Sequence, residues 1–184
     1  MRRTQQILSL VILLCLMAMN VWALDGFMPF HPAQKLPEFQ FMDEKGRPQS
    51  LNDFKGQFIV LNIWATWCAP CVKEMPSLDR LQGKFGKRIE VIAVSQDFGG
   101  ATMVKTFYDK VGIKNLAVYT DAANTLPGIL KLQGLPVTLL IDKEGYEVGR
   151  LSGEAAWDSK EAIALIEGYL NQPQPTKAVK TSYP

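Results

Sequence analysis

A run of apolar residues that leads into two closely spaced cysteines constrains this chain more than any other feature. Phe58 to Trp64 is apolar except for Asn62, and the motif WCAPC follows at residues 67–71. A nearly continuous apolar run of this length is typical of a strand that is buried on both faces of a sheet. From Cys71 to Phe85 the apolar residues recur at helical spacing. The pattern predicts a buried strand, a short loop and a helix that starts at the cysteines.

The spacing of the two cysteines predicts thiol–disulfide exchange. Two cysteines with two residues between them can close a small disulfide ring and open it again. At the start of a helix, backbone N–H groups and the positive end of the helix dipole favour the thiolate, which is the reactive form of cysteine. We therefore expect Cys68 to attack a disulfide and Cys71 to resolve the mixed disulfide. This redox-active pair needs no cofactor.

Two other roles for the cysteine pair remain as alternatives. Structural zinc needs four ligands. The other cysteine of the chain, Cys15, lies in an N-terminal apolar run, and the single histidine is His31. A purely structural disulfide is the second alternative, but a bridge that closes so short a loop constrains the unfolded chain little.

The N-terminus is typical of an export signal. Arg2 and Arg3 precede an apolar segment from Ile7 to about Met19, and the small residue Ala23 follows. We expect residues 1–23 to be a cleaved signal peptide or an N-terminal membrane anchor, which would insert through residues 7–23. In either case the rest of the chain is expected in the periplasm or on the extracytoplasmic face of the membrane, soluble after cleavage or anchored to the inner membrane.

Charge and length limit what the exported part can be. Without Arg2 and Arg3, 18 basic residues stand against 18 acidic ones. A neutral balance implies no basic face for nucleic acid. About 160 residues are enough for one domain with a hydrophobic core and too few for two ordinary ones.

Proline content and apolar patterning divide the exported part into three segments. Residues 24–37 contain three prolines and are predicted to be an extended lead-in, and residues 171–184 are predicted to be a disordered tail. Residues 38–170 form the predicted domain. Its patterns predict a hairpin over 38–51, strands over 58–64, 89–94, 116–119, 137–142 and 146–151, and helices over 71–85, 103–111, 125–131 and 156–170. This order indicates an α/β fold with a mixed central sheet.

The motifs together resemble a known family. The stretch LNIWATWCAPC at residues 61–71, followed by EMP at 74–76, is similar to the TlpA/ResA-type branch of the thioredoxin superfamily. The resemblance covers residues 36–170, including an insertion around 100–133 and GLPVT at 134–138. It implies a thioredoxin fold in which helices flank a mixed central sheet, with an N-terminal β-hairpin and a central insertion. Members of this branch are exported thiol–disulfide oxidoreductases, and several serve cytochrome c maturation.

The resemblance also implies which residues bind a substrate. Pro136 matches a cis-proline that lies against the cysteine pair, and the backbone of Leu135 would pair with an extended substrate segment. X–Pro bonds adopt the cis form readily enough for this, although a trans proline at the start of a strand is the alternative. Trp67, beside Cys68, would shape the surface around the reactive sulfur.

A glutamate near the sulfurs is the third implied feature of the site. Glu74 lies three residues after Cys71 and matches a family glutamate that acts near the active-site sulfurs, where it would carry protons to and from the resolving thiol. The alternative is a solvated acid that complements the helix dipole. Asn62 stands where thioredoxin has a buried aspartate. Since an amide does not titrate, acid–base help must come from elsewhere, and Glu74 is the candidate.

The expected function is disulfide reduction. Electrons would enter from a membrane thiol donor of the DsbD/CcdA type and leave to an oxidised substrate protein, with apocytochrome c as the substrate class that the resemblance suggests. The same chemistry in the opposite direction, as a disulfide oxidase or isomerase, stays open. A copper carrier on a related fold would need a distal histidine, and none follows His31. A thiol peroxidase would need a P-x-x-x-T-x-x-C motif, which Cys68 lacks.

Overall fold

The computed structural model describes residues 24–171, which form one sheet of eight strands with helices packed against it. The strands are β1 (Phe27–Lys35), β2 (Phe41–Asp43), β3 (Pro48–Gln49), β4 (Phe58–Trp64), β5 (Ile89–Ser95), β6 (Tyr119–Thr120), β7 (Val137–Ile141) and β8 (Tyr146–Ser152). The helices are α1 (Ala69–Phe85), α2 (Gly100–Val111), α3 (Leu126–Ile129) and α4 (Lys160–Asn171), with 3-10 helices at Leu51–Phe54 and Gly86–Arg88.

The sheet is mixed, and β4 lies near its centre. The strand order is β1-β8-β7-β4-β5-β6-β2-β3. β5 runs parallel to β4 and to β6, and the other neighbouring pairs are antiparallel. The predicted N-terminal hairpin is β2–β3, and the predicted insertion supplies α2, β6 and α3 between β5 and β7. The predicted α/β class with a mixed central sheet is confirmed.

The central strand is buried on both faces, as its apolar run predicts. Successive side chains of a strand point to opposite faces of the sheet. Val60 and Trp64 pack with α1, α2 and α4, whereas Leu61 and Ile63 pack in a second cluster with α3 and β2. Two apolar clusters therefore hold β4 in place, and its C-terminal end leads directly to the cysteines.

The first helix carries the apolar stripe that its sequence predicts. Met75, Leu78, Leu81 and Phe85 are all buried against the sheet. The helix continues through Pro76, although proline removes one backbone donor from the helix interior. Packing of this stripe fixes the helix, and so fixes the position of the cysteines at its start.

The predicted lead-in is the main correction to the sequence-based fold. Residues 27–35 are not a spacer outside the domain but form β1, which pairs antiparallel with β8 at the edge of the sheet. Proline is tolerated in an edge strand because its missing N–H faces away from the partner strand. The register shifts between Pro29 and Gln34, around a cis bond before Pro32. Two of the three prolines that indicated a spacer, Pro29 and Pro32, therefore lie within this edge strand.

Most predicted helices and strands differ from the observed ones by at most two residues at either end, and three differ by more. α4 begins at Lys160 rather than at residue 156, because the backbone N–H groups of Ala155 and Trp157 donate to side chains of α1 instead of to a helical turn. In place of the strand predicted over 116–119, the observed strand β6 is Tyr119–Thr120, the two residues that pair with β5 and β2. α2 begins earlier than predicted, at Gly100.

Some predictions fall on residues that the structure does not describe. The predicted signal peptide or anchor over 1–23 lies outside the described residues. The predicted tail over 171–184 also lies outside them, except for Asn171, which is the last residue of α4. Between residues 24 and 171, no helix is both long enough and apolar enough to span a bilayer.

The close contact between β1 and β8 supports a stability prediction. A Cβ atom on Gly149 would lie 2.7 Å from the Met28 carbonyl oxygen and closer still to the Phe27 ring. Gly149→Ala should therefore displace β1 and lower the free energy of unfolding by about 1–3 kcal/mol, the usual effect of overpacking. Equilibrium urea unfolding measures the change.

Gly168→Ala is the matched control for that measurement. The space beside Gly168 in α4 is open, and alanine favours a helix over glycine, so this variant should be at least as stable as the parent protein. Equal stability of Gly149→Ala and the parent would contradict the close packing of β1 on β8.

Candidate active site

The two cysteines lie at the N-terminus of α1, as predicted. Cys68 is the N-cap residue, and its Sγ accepts a hydrogen bond from the Cys71 backbone N–H at 3.4 Å. Pro70 lies in the first turn, where its fixed φ suits a helix start and its missing N–H leaves no donor unpaired. The two sulfurs are joined in a disulfide, with the Cα atoms 5.2 Å apart. The described structure therefore holds the oxidised form of the pair.

The two cysteines differ in accessibility. Cys68 is 7% exposed, whereas Cys71 is fully buried. Cys68 also lies at the end of the helix, where unpaired N–H groups and the helix dipole stabilise a thiolate. Both facts favour Cys68 as the attacking sulfur and Cys71 as the resolving one.

The proline at the start of β7 is cis, as the resemblance implies. The Leu135–Pro136 bond is cis, so the trans alternative is wrong. The Pro136 carbonyl accepts from the Gly153 N–H at 2.9 Å, and Val137 pairs with Ile63 at the end of β4. Leu135 precedes the strand, so its backbone groups are not part of the pairing between β7 and β4. Leu135 and Pro136 thus lie at the same end of the sheet as the cysteines.

Glu74 is buried inside a hydrogen-bond network. Its side chain accepts hydrogen bonds from Asn62 Nδ2 at 2.8 Å, from the Ala155 N–H at 3.1 Å and from Trp157 Nε1 at 3.1 Å. The residue is only 2% exposed. The alternative of a solvated acid at the helix start is therefore wrong. The carboxyl group connects α1 to β4 and to the segment that precedes α4.

Burial makes Glu74 a group that titrates near neutral pH. Burial raises its pKa from 4.5 to about 7, and the nearby charge of Glu154 adds to the increase. The hydrogen bonds from Ala155, Asn62 and Trp157 oppose this change because they favour the carboxylate. The result is a carboxyl group on the same helix as the cysteines that gains and loses a proton close to pH 7.

Asn62 links Glu74 to the strand that follows the cis-proline. Its Nδ2 donates to Thr138 Oγ1 at 2.9 Å as well as to Glu74. The sequence indicates that Asn62 cannot titrate, but it does not indicate that Asn62 hydrogen-bonds to Glu74, the carboxyl group that titrates. Trp157 gave no signal at all, because it lies 83 positions from Glu74 along the chain.

A second loop is tied to the cysteine loop, and sequence reasoning missed it. Asp97, at the end of β5, is buried and accepts from the Thr66 N–H at 2.9 Å and from Thr66 Oγ1 at 2.7 Å. Ser95 Oγ also donates to this carboxylate, at 2.6 Å. Trp67, which was predicted to shape the surface around the reactive sulfur, follows Thr66 in the sequence, and its side chain is 67% exposed. An acidic residue just after a buried strand is the signal that could have pointed to Asp97.

Metal-ligating residues are not grouped in the described part of the chain. Over residues 24–171, no three or more histidine, cysteine, aspartate and glutamate side chains are placed to hold one metal ion.

Similarity to known proteins agrees with this site. A sequence model of the AhpC/TSA family matches residues 32–153. The thiol-disulfide oxidoreductase ResA of Bacillus anthracis is 33% identical over 181 residues, covering 95% of this chain and 100% of the relative. The thioredoxin-like protein YneN of Bacillus subtilis is 30% identical over 122 residues, covering 61% of this chain and 66% of the relative.

Solved structures show the same relationship. A protein of Chlorobium tepidum assigned as thiol:disulfide interchange protein DsbE is 27% identical, with a TM-score of 0.66 over 75% of this chain and 96% of that one. The exposed lipoprotein thioredoxin Etrx1 of Streptococcus pneumoniae is 28% identical, with a TM-score of 0.58 over 71% of this chain and 97% of that one.

Fold, cysteine geometry and similarity together define an enzyme class, the thioredoxin-fold thiol–disulfide oxidoreductases. The Cys68–Cys71 pair at the start of α1 is its redox centre. The chain belongs to the AhpC/TSA family and, within it, to the TlpA/ResA-type thiol–disulfide oxidoreductases.

Proposed function

We propose that this protein reduces disulfides in exported proteins, on the periplasmic or extracytoplasmic side of the membrane. The Cys68 thiolate attacks one sulfur of a substrate disulfide, and the other substrate sulfur leaves. Cys71 then attacks Cys68 Sγ and releases the second substrate sulfur. Two electrons and two protons pass to the substrate, and the Cys68–Cys71 disulfide forms. A membrane thiol donor of the DsbD/CcdA type then returns the pair to the dithiol.

The buried carboxyl group of Glu74 carries the argument for the reducing direction. A disulfide carrier is a strong oxidant when its reduced form is stabilised. A carboxylate one helical turn from Cys71 disfavours a second negative charge at that sulfur. Since Glu74 makes no ion pair with a described basic residue, its charge is not compensated there. At Cys71 the reduced pair therefore gains no charge stabilisation, and this opposes the oxidising direction that thiolate stabilisation at Cys68 alone would favour.

Glu74 also has the pKa that a proton carrier needs. Cys71 is fully buried, so water cannot readily take its proton during the resolving step. A carboxyl group with a pKa of about 7 can accept that proton and return it at neutral pH. We assign Glu74 this role, with Asn62 as the residue that positions it.

The surroundings of Cys68 suit an extended substrate. Leu135 offers backbone groups that do not take part in the pairing of β7 with β4, and Trp67 is exposed beside Cys68. An extended segment can pair with such backbone groups as an added strand does. Apocytochrome c, whose two haem-site cysteines can form a disulfide, is the proposed substrate. Residues 1–23 would export the domain as a signal peptide or hold it at the inner membrane as an anchor.

A redox titration tests the proposed direction. The protein is equilibrated in dithiothreitol or glutathione buffers, and free Cys68 and Cys71 are trapped with an alkylating reagent. We expect a potential near or below that of thioredoxin, about −270 mV. A potential near about −120 mV, as in strong oxidants, would make the protein an oxidase or isomerase instead. A pair that never interconverts would overturn the exchange mechanism itself.

A further inference from the structure

Two exposed aromatic side chains stand at the same end of the sheet as the redox disulfide. Among residues 24–171, Phe98 is the most exposed large apolar side chain, at 81%, and Trp67 is next. Trp67 follows the C-terminal end of β4, and Phe98 follows the C-terminal end of β5, its parallel neighbour. Parallel strands place these ends side by side. Phe98 has no role in the core that would explain an aromatic residue there.

The loop that carries Phe98 is held firmly against the cysteine loop. The Gln96 N–H donates to the Trp64 carbonyl at 2.8 Å, and Asp97 accepts two hydrogen bonds from Thr66. Each exposed aromatic therefore lies one position beyond a fixed residue, since Trp67 follows Thr66 and Phe98 follows Asp97. These hydrogen bonds hold the two loops, and so the two positions, together.

A methionine of α2 extends the same surface. A Cβ atom on Gly99, the residue after Phe98, would lie 3.2 Å from Met103 Cβ. Met103 is 45% exposed. Trp67, Phe98 and Met103 together form what we call the apolar rim. Methionine and aromatic side chains are enriched in surfaces that bind other polypeptides.

We propose that the apolar rim is the docking surface for an extended substrate segment that carries apolar side chains next to its cysteine. The inference rests on the proposed reduction of protein disulfides and names the kind of segment that is recognised. The substrate sulfur must reach Cys68, so the segment continues from the redox centre onto the adjoining rim. Trp67 is the residue before Cys68, and the loop of Phe98 is hydrogen-bonded to Thr66, so the side chains next to the substrate cysteine meet the rim.

The backbone at Leu135 favours a polypeptide over a lipid surface as the occupant. Its N–H and C=O precede β7 and do not take part in the pairing with β4, and they lie at the same end of the sheet. A polypeptide can use both these groups and the rim, whereas an acyl chain can use only the rim. Cys68 is nearly buried, which also favours a flexible segment over a rigid folded surface.

The test uses the full-length protein with three disulfide substrates and dithiothreitol as the reductant. The first is a peptide disulfide with phenylalanine or leucine beside each cysteine, the second is the same peptide with serine at those positions, and the third is hydroxyethyl disulfide. For Phe98→Ala we expect kcat/KM on the apolar peptide to fall about tenfold relative to hydroxyethyl disulfide, the scale expected from partial burial of one aromatic ring. Phe98→Leu should restore most of the loss.

The matched control is Tyr146→Ala. Tyr146 is also an exposed aromatic, at 42%, but it starts β8, at the end opposite to Ser152 and the redox centre. The Tyr146→Ala variant should reduce all three disulfide substrates at the rates of the parent protein. Equal rates of the parent and Phe98→Ala on the apolar peptide would overturn the docking surface, and so would an equal loss on all three substrates. A parent protein that reduces none of them would instead overturn the proposed function.

Discussion

Replacing Cys68 with serine is expected to reduce thiol–disulfide exchange to the uncatalysed rate. Cys68 is the sulfur at the helix N-terminus and the more accessible of the two, and a serine hydroxyl there does not ionise at neutral pH. Cys71 is fully buried and cannot substitute for it. Release of thiol from a peptide disulfide, followed with a thiol reagent, measures the loss.

Cys71→Ser is expected to fail at a different step. Cys68 can still attack the substrate, but no sulfur remains to resolve the mixed disulfide. A covalent adduct between Cys68 and the substrate should accumulate and be visible by mass spectrometry without reductant. Cys15→Ala is the control, because Cys15 has no predicted part in the chemistry and should leave both measurements unchanged. An adduct on Cys71 in the Cys68→Ser protein would reverse the order of attack.

The redox centre could be predicted because its signals are local in sequence. The apolar run of β4, the WCAPC motif and the stripe of α1 follow one another within residues 58–85, and each is confirmed. Burial on both faces leaves β4 few alternatives to an apolar composition. The cis bond before Pro136 was predicted only through the family resemblance, because no local rule distinguishes it from a trans bond.

The features that were missed depend on contacts between distant segments. β1 contains prolines and alternates poorly, so only its pairing with β8 identifies it as a strand. Trp157 lies within the predicted last helix, but its N–H donates to Ser77 of α1, and the N–H of Ala155 donates to Glu74. Such contacts follow from the fold and leave no periodic signal in the sequence.

Contacts between distant segments also explain why Glu74 is buried, although its position in the first turns of a helix is typical of a surface acid. Helical spacing places it on the side of Cys71, but three donors from other elements determine that it is enclosed. Its burial, and therefore its raised pKa, could not be predicted from the sequence around the cysteines. This difference has consequences for both stability and rate.

Glu74→Gln is expected to remove a pH dependence from the stability of the protein. The pKa is about 7 in the folded state and near 4.5 when unfolded, so the folded state binds more protons between these values. The contribution of Glu74 protonation to the free energy of unfolding is complete below pH 4.5 and is lost as pH rises through about 7. It amounts to about 3 kcal/mol. The free energy of unfolding of both proteins is measured with urea at about pH 5 and about pH 8. Subtracting the change in the variant from the change in the parent cancels the effect of the other titrating groups.

The same variant should lose rate in a way that a structural role would not. Between about pH 6 and about pH 8, the parent protein should resolve its mixed disulfide faster as Glu74 ionises, because the carboxylate accepts the Cys71 proton. Glutamine cannot accept a proton, so kcat at about pH 8 should fall by about 10²-fold and the step near pH 7 should disappear.

Glu154→Gln separates the chemical role of Glu74 from a general change in charge. Glu154 contributes to the raised pKa of Glu74 but is a surface residue that pairs with Lys73. Its replacement should leave kcat nearly unchanged and move the step slightly to lower pH. A Glu74→Gln protein with the parent pH profile and rate would exclude proton transfer. If Glu74→Gln lost stability but kept the parent pH profile of kcat, the role of Glu74 would be structural, namely to bind Ala155 and Trp157 to α1 through hydrogen bonds.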